Sequence, residues 1–176
     1  NVISANCGFR GAGVYAYDTD VGVPTLTNNT IISNSGIGVY WNQSSPVITN
    51  NIVAFNTWGL QQPGDAPTSP TITYNCVYGN TIQGQRTDYM GIDDQTGLNG
   101  NISVDPSMAN SRIGDFRLQP GSSCIDAGTS AAVQPDWKDV LGKNRILGSR
   151  VDIGADESDG TTWNSPTPII YVRPDG

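Results

Sequence analysis

Residues 46–60 read PVITNNIVAFNTWGL. Nearly the same wording stands on either side: PTLTNNTIISNSGIGVY at 24–40 and PTITYNCVYGNTIQG at 70–84. The pattern Asn-x-aliphatic-x-x-Asn aligns NVISAN from Asn1, NTIISN from Asn29, NIVAFN from Asn51 and NCVYGN from Asn75, at intervals of 28, 22 and 24 residues. The first interval is longer because AYDTDVGVP, residues 16–24, carries an insertion. A second feature recurs out of phase: GVY at Gly13, GVY at Gly38, GLQ at Gly59. A third pairs Pro24 with Leu26, Pro46 with Ile48 and Pro70 with Ile72. Self-similarity at such a period marks a repeat architecture, in which no unit can bury its apolar face alone.

Each period holds three short segments of alternating apolar residues, separated by Asn, Gly or Pro. Segments this short, rich in Val, Ile and Thr, read as strands. Three strands and three turns in 22–24 residues make one coil of a parallel β-helix, whose stacked coils share a core. Like residues then stack on like. Ile3, Ile31, Val53 and Val77 are expected to form one inward column, and Leu26, Ile48 and Ile72 another. Asn6, Asn34, Asn56 and Asn80 are expected at one corner, as structural residues. Asn tolerates the left-handed backbone a corner needs, and its amide can bond to the Asn above and below.

Composition narrows the function. The 176-residue chain suffices for one ordinary domain, and its net charge of −7 argues against a nucleic-acid partner. No apolar run is long enough to span a membrane as a helix. The absence of His removes the commonest general base and metal ligand. Cys7, Cys76 and Cys124 are too few for a disulfide framework and read as small buried side chains. The chain opens at Asn1 in mid-coil without Met, and is read as a piece of a longer protein.

The coils resemble the right-handed parallel β-helix repeat of the pectate-lyase-like superfamily. The tail is more specific: GNISVDPSM from Gly100, GDFRLQPGSSCIDAGT from Gly114 and DWKDVLGKNRILGSRVDIGADE from Asp136. It resembles the closing segment of large secreted or surface bacterial β-helix proteins, departing where Ser123 replaces a usual Pro and Asp156 a usual aromatic. The resemblance implies an all-β, right-handed parallel β-helix of about 22–24 residues per coil with a C-terminal capping segment. Residues 1–157 form the partial domain: coils to 80, a long loop or irregular coil over 81–100, and the closing tail over 101–157. Residues 158–176 would be a linker and, in IIYVRPDG, the first strand of a following domain. An open coil end exposes backbone and apolar core, so a tail covering that end is expected. Asp126 in IDAG and Asp152 in VDIGAD stand beside Gly, where a carboxylate accepts backbone N–H groups, and are read as structural.

The superfamily includes lyases, hydrolases and epimerases acting on polysaccharides. Polygalacturonase-type hydrolysis needs clustered carboxylates, a His turn and an Arg-x-Lys strand; this chain has no His and no Arg-x-Lys. Lyases need a base and a cation at the uronate, and the coil half carries only Arg10 and Arg86 as basic residues. No catalytic residue is assigned. Calcium is the one cofactor the residues suggest, through Asp18 and Asp20 in the insertion or Asp93 and Asp94 in the long loop, neither with the spacing of a dedicated calcium loop. The remaining signal is aromatic. Tyr15 and Tyr40 share an outward column with Gln61, with Tyr17 and Asn42 two places on, a face suited to ring stacking on a polysaccharide.

The expected protein is thus a non-catalytic structural or adhesive part of a secreted or cell-surface bacterial β-helix protein; its outward Tyr column reads either as plain strand formers in a ladder or as a polysaccharide contact. The rival is a remnant of a polysaccharide lyase or glycoside hydrolase. Self-association through the exposed first coil or through Ile169–Val172 is also expected, because unpaired strand edges attract strands.

Overall fold

A computed structural model describes residues 1–8, 11–17, 22–64 and 68–162. The chain is all-β with parallel sheets. The first period contributes β1 (Val2–Ser4), β2 (Cys7–Gly8), β3 (Val14–Tyr17) and β4 (Thr25–Thr27). The second contributes β5 (Thr30–Ile32), β6 (Ser35–Asn42) and β7 (Val47–Thr49). The third contributes β8 (Ile52–Ala54), β9 (Trp58–Gln61) and β10 (Thr71–Thr73). The fourth opens with β11 (Cys76–Tyr78), is interrupted by the hairpin β12 (Thr81–Ile82) and β13 (Gln85–Arg86), and resumes at β14 (Tyr89–Met90). An antiparallel pair, β15 (Met108–Asn110) and β16 (Asp115–Leu118), opens the tail.

Strands at the same place in successive periods pair in parallel. One sheet runs β1-β5-β8-β11, a second β4-β7-β10, and a third joins β3, β6, β9 and β14. The registers are those read from the repeat: Ile3 faces Ile31, Ile31 faces Val53 and Val53 faces Val77, while Leu26, Ile48 and Ile72 align in the second sheet. These columns meet Val39, Trp41 and Leu60 of the third sheet in one core. Glycine just ahead of the inward Val14 and Leu60 is required by closeness. A Cβ on Gly13 would lie 2.2 Å from the Gly38 carbonyl oxygen, and one on Gly59 would lie 2.4 Å from that of Asp88.

Asparagine side chains join the periods along two lines. Asn6, Asn34 and Asn56 each donate Nδ2 to the Oδ1 of the next ladder residue, at 2.9–3.0 Å, ending on Asn80. Asn1, Asn29, Asn51, Asn75 and Asn101 make a second line, at 2.9–3.3 Å. The left-handed backbone falls elsewhere than expected. It belongs to the residue before each ladder Asn: Ala5, Ser33, Phe55 and Gly79 have φ of 57°, 55°, 55° and 64°. Bending one residue early leaves the Asn free to aim both its backbone N–H and its Nδ2 at one Oδ1 of the next period.

The tail also sits differently from the expectation. Asn101 and Ile102 add to the β11 edge, and the rest of the tail lies along the outer face of the first sheet. Ile32, Ile52, Ala54 and Cys76, outward on β5, β8 and β11, pack with Leu118, Cys124 and Ile153 in a second core. Hydrogen bonds tie it across periods: Asn28 Nδ2 donates to the Asp152 carbonyl at 3.0 Å, Asn50 Nδ2 to that of Thr129 at 3.0 Å, and the Ala155 N–H to Thr30 Oγ1 at 3.0 Å. The physical reason is in the strands. TII, IVA and CVY are apolar on both faces, and a sheet apolar on both faces is covered on both. Of the cysteines, Cys76 and Cys124 are buried free thiols, but Cys7 is exposed.

Over 81–100 the expected irregular segment is a hairpin, then β14 returning to the third sheet beside β9, then a loop. Asp18 and Asp20, and the strand expected at 168–174, lie outside the described residues. Among the described residues no helix is long and apolar enough to cross a membrane.

Candidate functional site

The third sheet carries the aromatic face. Its register places Tyr15 beside Tyr40 and Tyr40 beside Gln61, and adds Met90 beyond Gln61. Strand alternation sends Val14, Val39 and Leu60 inward, so their neighbours project outward. The Tyr15 and Tyr40 rings stack with centroids 5.5 Å apart and planes 7° apart. Tyr17 continues the array, 6.3 Å from Tyr15 at 17°.

Exposure divides this column. Tyr15 and Tyr17 are 49% and 45% exposed, whereas Tyr40 is 4% exposed and Gln61 half-buried. Tyr40 therefore backs the face instead of forming it. A strand position fixes the side to which a residue points, not what lies over it. The accessible site is the Tyr15–Tyr17 pair, with Asn42 beside Tyr17 in the ladder. Gln43, which the repeat did not single out, accepts the Tyr17 hydroxyl at 2.8 Å and fixes that ring. Two near-parallel exposed rings flanked by amides can take the C–H face of a pyranose and bond its hydroxyls.

The carboxylates of the long loop do not converge. Asp94 accepts the Thr96 N–H at 2.8 Å and pairs with Arg86 at 3.3 Å, and the bonds from Thr96 hold its carboxyl below the usual value. Asp93 instead lines a cleft of 380 Å³ with Gln62, Ile72 and Gln95. Among the described residues, no group of three or more His, Cys, Asp or Glu is arranged to hold a metal ion. Of this pair, Asp93 has the carboxylate not matched by Arg86.

The tail holds a denser group. Asp152 accepts the Asp126 N–H at 2.8 Å on one oxygen and the Ser158 N–H at 2.7 Å on the other. Glu157 accepts the Leu147 N–H at 3.2 Å and the Asp152 N–H at 3.1 Å. Asp126 accepts the Arg150 N–H at 2.9 Å, which lowers its carboxyl. Arg145 stands 3.8 Å from Glu157 and donates to the Gly154 and Ala155 carbonyls at 2.8 Å each. Burial pushes Asp152 up to about 6 and Glu157 up to about 7. Carboxylates raised in this way beside a cation are a frequent mark of acid–base catalysis. Here Asp152 and Glu157 are buried and their oxygens are spent on backbone N–H groups, so the arrangement ties the tail to itself. Asp126 and Asp152 are the Asp residues of IDAG and VDIGAD; Arg145 and Glu157 carried no sequence signal beyond lying in the same motif.

No family model matches the chain, and no curated protein or solved structure matches it either.

Proposed function

We propose that this chain is part of a secreted or cell-surface bacterial right-handed parallel β-helix protein of the pectate-lyase-like kind. Its work is structural and adhesive, and it binds polysaccharide without cleaving it. The stacked reading rests on parallel registers that repeat with the sequence period and on two asparagine lines running through them.

The observation that carries the ligand is the exposed Tyr15–Tyr17 ring pair, held by Gln43. Among the described residues, Asn42 and Gln43 beside Tyr17 are uncharged, and the chain as a whole is at −7. Both features favour a neutral glycan over a polyuronate. Each ring contributes on the order of 1 kcal/mol, so affinity is weak at one site and accumulates along a polymer.

A glycan array with the whole chain, followed by titration calorimetry of the best ligand, tests this. Tyr15→Ala and Tyr17→Ala should each weaken binding about fivefold, the equivalent of about 1 kcal/mol. Binding that survives both substitutions unchanged would place the site elsewhere.

A further inference from the structure

The second core brings two sulfur atoms together. Cys76 stands on β11, on the outer face of the first sheet, and Cys124 stands in the tail that covers that face. Both are wholly buried free thiols. Residues 104–106 tie their positions to each other. Cys76 Sγ donates to the Val104 carbonyl at 3.2 Å. Ser122 Oγ donates to the Pro106 carbonyl at 2.6 Å and accepts the Cys124 N–H at 3.2 Å. The Cys124 thiol lies within hydrogen-bonding reach of Cys76, and that contact, with burial after it, pushes the Cys124 thiol well above the usual thiol value.

A close thiol pair has three uses, and the surroundings choose among them. A zinc-type site needs further Cys, His or carboxylate ligands, and among the described residues no group of three such side chains is arranged to hold a metal ion. A catalytic dithiol needs an accessible sulfur with a lowered pKa; here both sulfurs are covered and Cys124 is raised. A structural disulfide needs neither. It needs two sulfurs that meet, and it constrains most when they lie far apart along the chain. The strands β12 to β16 all lie between Cys76 and Cys124 in sequence.

We infer that Cys76 and Cys124 are a disulfide pair, reduced in this structure, and that oxidation staples the tail to the outer face of the first sheet. The oxidant is a small organic disulfide, for which oxidised glutathione serves as the probe. One cysteine gives up its proton, and its thiolate attacks a sulfur of the reagent, breaking the S–S bond there and releasing one glutathione thiolate. The other cysteine, deprotonated in turn, attacks the protein sulfur of this mixed disulfide, forming the Cys76–Cys124 bond and releasing the second glutathione. The two protons end on the two glutathione thiols; the protein loses two electrons and the reagent gains them. Because both sulfurs are covered once the tail is in place, the exchange belongs to folding, before the tail closes over β11. Cys7, exposed on β2, is left out. The inference rests on the position of the tail and is independent of the glycan.

The test refolds the whole chain from urea, with reductant or in a glutathione redox buffer. Cleavage after Arg10, Arg86 and Arg117 leaves the three cysteines on separate peptides, so mass spectrometry without reduction reads the pairing. The reduced chain should show three thiols in denaturant. The chain refolded with glutathione should show Cys76 joined to Cys124, with Cys7 free or carrying glutathione. The same oxidation carried out in urea, where no fold selects a partner, should give all three pairings. The stapled form should unfold at a urea concentration about 1 M higher than the reduced form, and Cys124→Ala should show no such gain from the glutathione buffer. The pairing is overturned if Cys76 and Cys124 remain thiols after folding in that buffer, or if Cys7 enters bonds as often as it does in urea. It is overturned equally if the linked form unfolds at no higher urea concentration than the reduced one.

Discussion

At the scale of single residues, the buried asparagines hold the periods together, and their value depends on where they sit in the line. Asn56 is buried, and its amide serves Asn34, Asn80 and the Ile31 carbonyl. Asn56→Ala strands several of these groups away from water, at about 1–3 kcal/mol for a buried unsatisfied group. A loss of about 3 kcal/mol is expected by urea unfolding. Asn6→Ala, at the exposed end, should cost under about 1 kcal/mol, since water replaces the lost bonds. Equal losses at the two sites would contradict the account. The thiols give a second check. A water-soluble disulfide reagent should titrate Cys7 alone in the native protein, and all three thiols in denaturant. The asparagine contacts were legible because the residue recurs at the period; the left-handed bend was misplaced by one residue because Ala5, Ser33 and Phe55 share no turn chemistry that would mark them.

At the scale of elements, the tail is a strap over the first sheet, and the bonds that tie it to itself respond to pH. Asp152 and Glu157 are raised, from 3.8 to about 6 and from 4.5 to about 7, by burial first and then by other interactions, including their mutual repulsion at Glu157. The folded protein therefore holds these protons at pH values where the unfolded chain has released them. Their contribution to stability is fully present below about pH 4 and is lost as pH rises through 6 to 7. Asp94 and Asp126, lowered by hydrogen bonds, act in the opposite sense and in a lower window, below about pH 4. Stability by urea unfolding should thus fall between pH 5 and pH 8, by an amount on the order of 2 kcal/mol. Glu157→Gln should flatten much of that slope. A protein more stable at pH 8 than at pH 5 would show that the strap's carboxylates are ionised throughout. The strap's motifs were visible in the sequence, but its position was not. The pointer was the outward Ile32, Ile52 and Ala54, which a solvent-facing sheet would not carry.

At the scale of the whole molecule, the repeat specified the inward columns and registers because one side-chain period of two and one chain period of 22–24 residues constrain them together. The binding face was only half legible. Alternation showed that Tyr15, Tyr40 and Gln61 point the same way, but not that Tyr40 is covered while Tyr17 is open. The molecule presents rings on one sheet and spends the buried Asp152 and Glu157 on bonds within the strap. Binding without cleavage is the central claim, and native electrophoresis through gels cast with xylan, a β-glucan, pectin or alginate reads both halves of it at once. The chain should be retarded by at least one neutral glycan, the retardation should vanish when Tyr15 and Tyr17 are both changed to Ala, and no polymer should be cleared around the band. A cleared zone, migration unaffected by every glycan, or retardation that the double substitution leaves intact would contradict it.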